Sequence, residues 1–153
     1  MEGCCTCGSV TYELTQSPLF VHCCHCLWCQ RESGSAFAIN VLIESKHLRV
    51  NTGNVVEVDL PSESGNGQTM VRCAICQVAL WSHYAGMGKK VAFVRAGTLT
   101  KPDQVSPDIH IFTESKQAWV EAPEDVPAVP RYYRRSETWP KSSQDRWQQL
   151  KSS

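Results

Sequence analysis

The chain has 153 residues, with 15 basic against 15 acidic side chains and a formal net charge of zero. That length fits a chain able to bury a sizeable core, and the neutral balance argues against a duplex nucleic-acid partner, which demands a basic surface. No apolar run approaches the roughly 18 residues of a membrane helix, and Met1-Glu2-Gly3-Cys4 lacks the features of a secretory signal, so a cytoplasmic protein with no membrane partner is expected.

In chain order, a thiol-rich turn opens the sequence and alternation follows, with Val10, Tyr12 and Leu14 on one face of a half-buried strand. Gln16-Ser17-Pro18 breaks it. Leu19-Phe20-Val21 then leads into His22-Cys23-Cys24-His25-Cys26-Leu27-Trp28-Cys29, and Arg31 to Ser35 reads as a short turn. Ala36 to Ile43 is a β-rich run suited to a central strand. His47–Asn51 and Val55–Leu60 read as a hairpin joined by Thr52-Gly53-Asn54, and Pro61 to Gln68 as a surface loop.

Met70 to Trp81 reads as a second hairpin with Cys73-Ala74-Ile75-Cys76 at its tip. Val91–Ala96 and Ile109–Phe112 are further strands. Glu121 to Pro130 holds three prolines and three acidic residues, the mark of an extended linker. Gln144 to Lys151 suits a short helix with Trp147 and Leu150 on one face. Short strands separated by Gly, Pro and Asn turns predict a mostly β domain. We divide the chain into residues 1–120, the thiol-bearing β domain, and residues 121–153, a Pro-containing extension.

Nine cysteines in three groups, an odd count in a reducing compartment, indicate metal binding rather than a disulfide framework. Cys24, Cys26 and Cys29 have C-x-C-x-x-C spacing. Residues two apart on an extended segment share a face, and a C-x-x-C turn directs both sulfurs at one ion. Three thiolates with no obvious fourth describe a zinc site with an open position. Cys5, Cys7, Cys73 and Cys76 would make a closed four-thiolate set clipping the first strand to the distant hairpin. Spacing alone leaves the register open, because Cys4/Cys7 and Cys23/Cys26 are also C-x-x-C pairs and His22 and His25 are potential ligands. Free cysteines commonly serve as small apolar residues, a role that suits Cys4 and Cys23.

The stretches GCCTCGSVTYE, CCHCLWCQRESGSAF and VRCAICQVALW, with the later PDIHIFTESKQAW, resemble the glutathione-dependent formaldehyde-activating enzyme family, which includes the centromere protein V group. The likeness runs from about Gly3 to Trp119. It implies a small β-tent of antiparallel sheets pinned by zinc. Its structural zinc ligands fall on Cys5, Cys7, Cys73 and Cys76, and those of its second zinc on Cys24, Cys26 and Cys29, giving two Zn²⁺ per chain. Where the family places glycine after the last C-x-x-C, this chain has Gln77, which implies strain in a left-handed backbone.

The resemblance also implies glutathione as co-substrate and a carbon–sulfur lyase chemistry, the reversible addition of glutathione to formaldehyde or a related small aldehyde. Three thiolates on Zn²⁺ carry a formal charge of −1 and favour a soft fourth ligand, and a thiol bound there is held deprotonated and nucleophilic. The alternative is a non-enzymatic zinc module, a glutathione or thiol carrier or a macromolecular binding domain. Arg31 is a candidate partner for a substrate carboxylate. His25, between two ligands, is expected to project away from their shared face. Trp28 and Phe37 suit pocket walls or core packing, and His83 and Tyr84 are candidates for proton transfer. Arg131-Tyr132-Tyr133-Arg134-Arg135 reads as a solvated tail or a contact between subunits of an oligomer.

Overall fold

The computed structural model describes residues 1–152. Ten strands form two sheets: β1 (Glu2–Cys4), β2 (Thr11–Leu14), β3 (Phe20–Cys24), β4 (Ala38–Glu44), β5 (Leu48–Thr52), β6 (Val55–Leu60), β7 (Gln68–Cys73), β8 (Ala79–Tyr84), β9 (Val91–Arg95) and β10 (Ile109–Ile111). The helices are α1 (Leu27–Ser33), α2 (Arg135–Thr138) and α3 (Lys141–Ser152). The small sheet has the order β1-β2-β5 and the large one β10-β3-β4-β9-β8-β7-β6. The expected mostly β fold of antiparallel sheets is what forms, with one departure: β10 runs parallel to β3. Among the described residues no helix is long and apolar enough to cross a membrane.

Period-two alternation explains the layers. On β4, Val41 and Ile43 enter a core shared with Tyr12, Leu14, Leu80 and Trp81, between the two sheets. Ala38 and Leu42 face the opposite side, where they meet Phe20, Phe93, Ile111, Trp139, Trp147 and Leu150. A strand covered on both faces reads as a continuous apolar run, as Ala36 to Ile43 does. Cys24 lies in this second layer with Phe20, while Val21 turns to the first.

Two local expectations need correction. Residues 48–52 and 55–60 do not pair with each other: β5 pairs with β2 in the small sheet, and β6 with β7 in the large one. The chain changes sheets at Gly53, whose φ is +80° and where an added Cβ would lie 2.3 Å from the Ser9 carbonyl oxygen. The turn placed at 31–35 is the end of α1, which closes at Gly34 in the left-handed conformation. The Met70–Trp81 hairpin forms as β7 and β8. Gln77 adopts the left-handed φ of 61° anticipated for that position.

The segment read as a linker is extended but tied down. Ala128 bridges His110 in parallel, and the Val129 N–H donates to the His110 carbonyl at 2.9 Å. Beyond it, α3 packs Trp147 and Leu150 onto the second layer. Arg146 anchors the helix by donating from Nε and Nη2 to the Glu44 carboxylate at 2.8 and 2.5 Å.

Candidate metal centre and its cavity

The end of β3 and the start of α1 gather three thiols. Cys24 is the last residue of β3, Cys26 is the N-cap of α1, and Cys29 lies in the first turn of that helix. The Cys29 N–H donates to the Cys26 sulfur at 3.4 Å, so the cap itself fixes the C-x-x-C geometry. The three sulfurs lie within 4.8 Å of one another and all three residues are buried. The Cys24 and Cys26 thiols hold Cys29 well below the usual thiol range, with Arg95 and Tyr84 adding to them against the opposing effect of burial. Cys24 is pushed well up by Cys26 and Cys29 and then by burial. One sulfur is thus readily deprotonated beside two that keep their protons, a soft donor set that fits zinc or another thiophilic cation.

Cys5, Cys7, Cys73 and Cys76 form a second group within the same 4.8 Å limit. It joins the turn before β2 to the turn between β7 and β8. The Cys5–Cys7 and Cys7–Cys73 sulfur separations are 3.4 and 3.8 Å. Four sulfurs about a tetrahedral zinc stand roughly 3.8 Å apart, so the set needs little adjustment to hold one. Burial raises the Cys5 thiol, but the Val10 N–H, Ser9, Cys7 and Cys73 outweigh it and bring it down to about 5. The Ser9 hydroxyl, 3.1 Å from Cys7 and 3.2 Å from Cys73, is a member of this group that no sequence motif singles out. Cys4 is exposed and apart from both groups.

Cys23, His25 and His110 make a third cluster on the opposite face of β3, because β10 places His110 directly beside Cys23. His25 does turn away from the Cys24–Cys26 face as expected, but into the protein, where it is fully buried. Its Nε2 lies 2.9 Å from His110 Nδ1. The ring planes differ by 19° with centroids 5.2 Å apart, an offset stack. The rings meet nitrogen to nitrogen within hydrogen-bond distance, and with the Cys23 sulfur 3.6 Å from His25 Nε2 the three groups lie close enough to share a cation. Burial, joined by His110 and Lys116, brings His25 down to about 4, and burial and Lys116 lower His110. Both rings are therefore neutral near pH 7.

Cys24 and Cys26 open onto a cavity of about 740 Å³, within the range of small-molecule sites. Trp28, Asn40 and Tyr84 contribute to its wall. The wall also includes Tyr132, Tyr133, Arg134 and Arg135, the segment expected to be a solvated tail or a subunit contact. The reason is a chain of hydrogen bonds: Trp139 Nε1–H donates to the Tyr133 hydroxyl at 2.6 Å, and that hydroxyl is hydrogen-bonded to His22 Nε2 at 2.5 Å. Burial brings His22 down to about 3, so its ring is neutral. Phe112, also in the wall, has a left-handed φ of 55°, a conformation costing roughly 1–3 kcal/mol in a non-glycine residue. It is held there by its N–H bond to the Arg131 carbonyl at 2.9 Å.

The remaining sequence candidates divide. Arg31 is exposed beside Trp28, its guanidinium 6.0 Å from the ring centroid, and lies outside the cavity wall. Phe37 packs on the His25 ring, away from the cavity. His83 is engaged with the Val91 carbonyl at 2.9 Å. Tyr84 reaches Cys29, and burial pushes its hydroxyl well above the ordinary range, so it stays protonated.

Comparison with known proteins bears on the family and the fold. The family model described as glutathione-dependent formaldehyde-activating enzyme matches residues 1–115. A crystal structure of a Rhodobacter sphaeroides protein, a structural-genomics target, is similar with a TM-score of 0.52 and 20% identity, over 84% of this chain and 100% of that one. At that identity the likeness concerns the fold alone. A search of the curated proteins finds no match.

Proposed function

The chain belongs to the glutathione-dependent formaldehyde-activating enzyme family, and from that premise we propose that it adds the thiol of glutathione reversibly to formaldehyde or a related small aldehyde in the cavity beside Cys24, Cys26 and Cys29. In this reading Cys5, Cys7, Cys73 and Cys76 hold a closed structural zinc, and the three-thiol set holds a second. The observation that carries it is the gathering of three buried thiols at a cavity large enough for a tripeptide thiol. The four-thiol set is not among the residues that line that cavity.

The reaction forms one carbon–sulfur bond. The thiol loses its proton, its sulfur attacks the carbonyl carbon, and the carbonyl oxygen gains a proton to become a hydroxyl. A zinc held by Cys24, Cys26 and Cys29 would keep an incoming thiol deprotonated. The protein does the rest. Trp28 and the Tyr132–Tyr133 wall give the site an aromatic lining. Tyr84, kept protonated by burial and lining the same cavity, is the proton donor toward the aldehyde oxygen.

Calorimetric titration of reduced glutathione into zinc-loaded protein tests this, with S-methylglutathione as control. Binding that requires the free thiol is expected, together with two zinc ions per chain by metal analysis. Equal binding of both ligands would remove the sulfur from the site, and no binding to fully loaded protein would end the glutathione assignment.

A further inference from the structure

The family match ends at residue 115, yet much of the cavity wall lies beyond it. Arg135 is the cation of that wall best suited to a ligand. Its guanidinium lies over the Trp147 ring at 4.7 Å, and it forms no ion pair among the described residues. Stacking on an aromatic face holds a guanidinium in one plane while leaving its edge donors free, the arrangement that receives a carboxylate through two parallel hydrogen bonds. Neighbouring Arg134, by contrast, is exposed and paired with Glu137 at 3.3 Å. The Tyr132 ring, stacked on Tyr133 with centroids 4.7 Å apart, stands beside it as a flat apolar surface.

We propose that Arg135 forms a carboxylate subsite, so that the C-terminal segment restricts the cavity to thiols carrying a carboxylate some distance from the sulfur. This rests on the thiol reading given above, since it assigns the other end of the same ligand. The three-thiol cluster then takes the sulfur, and the segment outside the family match selects which thiol is accepted. Arg31, the arginine nearest the thiols in sequence, has no part in it because it lies outside the cavity.

The test compares glutathione with its diethyl ester, which has the same thiol and nearly the same size but no carboxylate, by calorimetry on the full zinc-loaded chain. One charge-assisted contact corresponds to a preference of roughly ten- to a hundredfold for the acid. Arg135→Met keeps an apolar stem against Trp147 and is expected to abolish that preference while leaving the affinity for the ester unchanged. Arg135→Lys, which retains charge without the fork, should keep part of it. Equal binding of acid and ester by the wild type overturns the subsite but leaves thiol binding standing. Failure of both ligands to bind overturns the thiol reading and the subsite with it. If Arg135→Met weakens both ligands alike, the arginine only supports the wall, and the subsite is wrong.

Discussion

Replacing Arg146 by methionine is expected to cost more than any ordinary substitution on α3. The Glu44 side chain is 3% exposed and that of Arg146 20%, and two hydrogen bonds join them. Removing one partner of a buried ion pair costs roughly 3–5 kcal/mol, chiefly because the other charge stays buried and unpaired. The partial exposure of Arg146 places this case at the lower end, about 3 kcal/mol, or roughly 6–12 °C in melting temperature for a chain of this size. The pH dependence identifies the cause. Burial raises the Glu44 carboxyl, but Arg146 outweighs it and holds it below its ordinary value of 4.5. In the wild type the contribution is therefore complete above about pH 4.5 and is lost as the pH falls through the lower folded value. In Arg146→Met, burial is opposed only by the Glu44 backbone hydrogen bond and by His47, so the carboxyl moves up and acid relieves the variant by neutralising it. The gap between the two melting curves should be widest at neutral pH and narrow toward pH 4, and Glu44→Gln in the same chain should recover most of the loss. A gap that stays constant with pH, or a double variant no better than the single one, would show that the arginine stem and not its charge holds the helix.

Two further outcomes follow from the thiol groups and the turns. Cys26→Ser should keep the fold and one zinc but lose free-thiol-dependent glutathione binding, whereas Cys73→Ser should release the other zinc and lower the melting temperature by roughly 10 °C or more. Identical behaviour of the two variants in metal analysis and thermal melts would refute the division into a structural and a reactive site. Gln77→Gly relieves a left-handed φ of 61° and should stabilise by about 1 kcal/mol, and a lower melting temperature would mean that the Gln77 bond to the Ala74 carbonyl at 3.1 Å matters more than the backbone.

Alternation exposed most strands to sequence reading, and spacing suggested the Cys24, Cys26 and Cys29 trio, because each is a local signal; the joining of Cys5 and Cys7 to Cys73 and Cys76 rested on the family resemblance, since spacing leaves that register open. Val10, Tyr12 and Leu14 form one face, and Cys24, Cys26 and Cys29 converge, without reference to distant residues. Pairing is a different matter. Nothing local tells β5 to join β2 instead of β6; that choice depends on the close approach of Gly53 to Ser9. Helix α1 went unread because Leu27 to Ser33 carries little apolar periodicity and its cap is a cysteine, not one of the usual hydroxyl or carboxylate residues. The cavity wall was hidden for the same reason as the pairing: Tyr133 becomes a wall residue only through His22, 111 positions away. Its basic and aromatic neighbours resemble a solvated tail until that contact is known.

The docking of α3 also imposes an order in time. Arg146 lies 102 positions after Glu44, and at ribosomal rates of about 5–20 residues per second that separation amounts to roughly 5–20 s of synthesis. For most of that interval the three thiols between β3 and α1 have been made, but the C-terminal segment that walls their cavity has not. A nascent chain therefore presents them to solvent before it encloses them, and a cation can enter by a route that the finished protein has narrowed. The same wall that screens the site in the mature fold makes early loading easier than reloading, so zinc stripped from the folded protein should return more slowly than it is acquired during refolding.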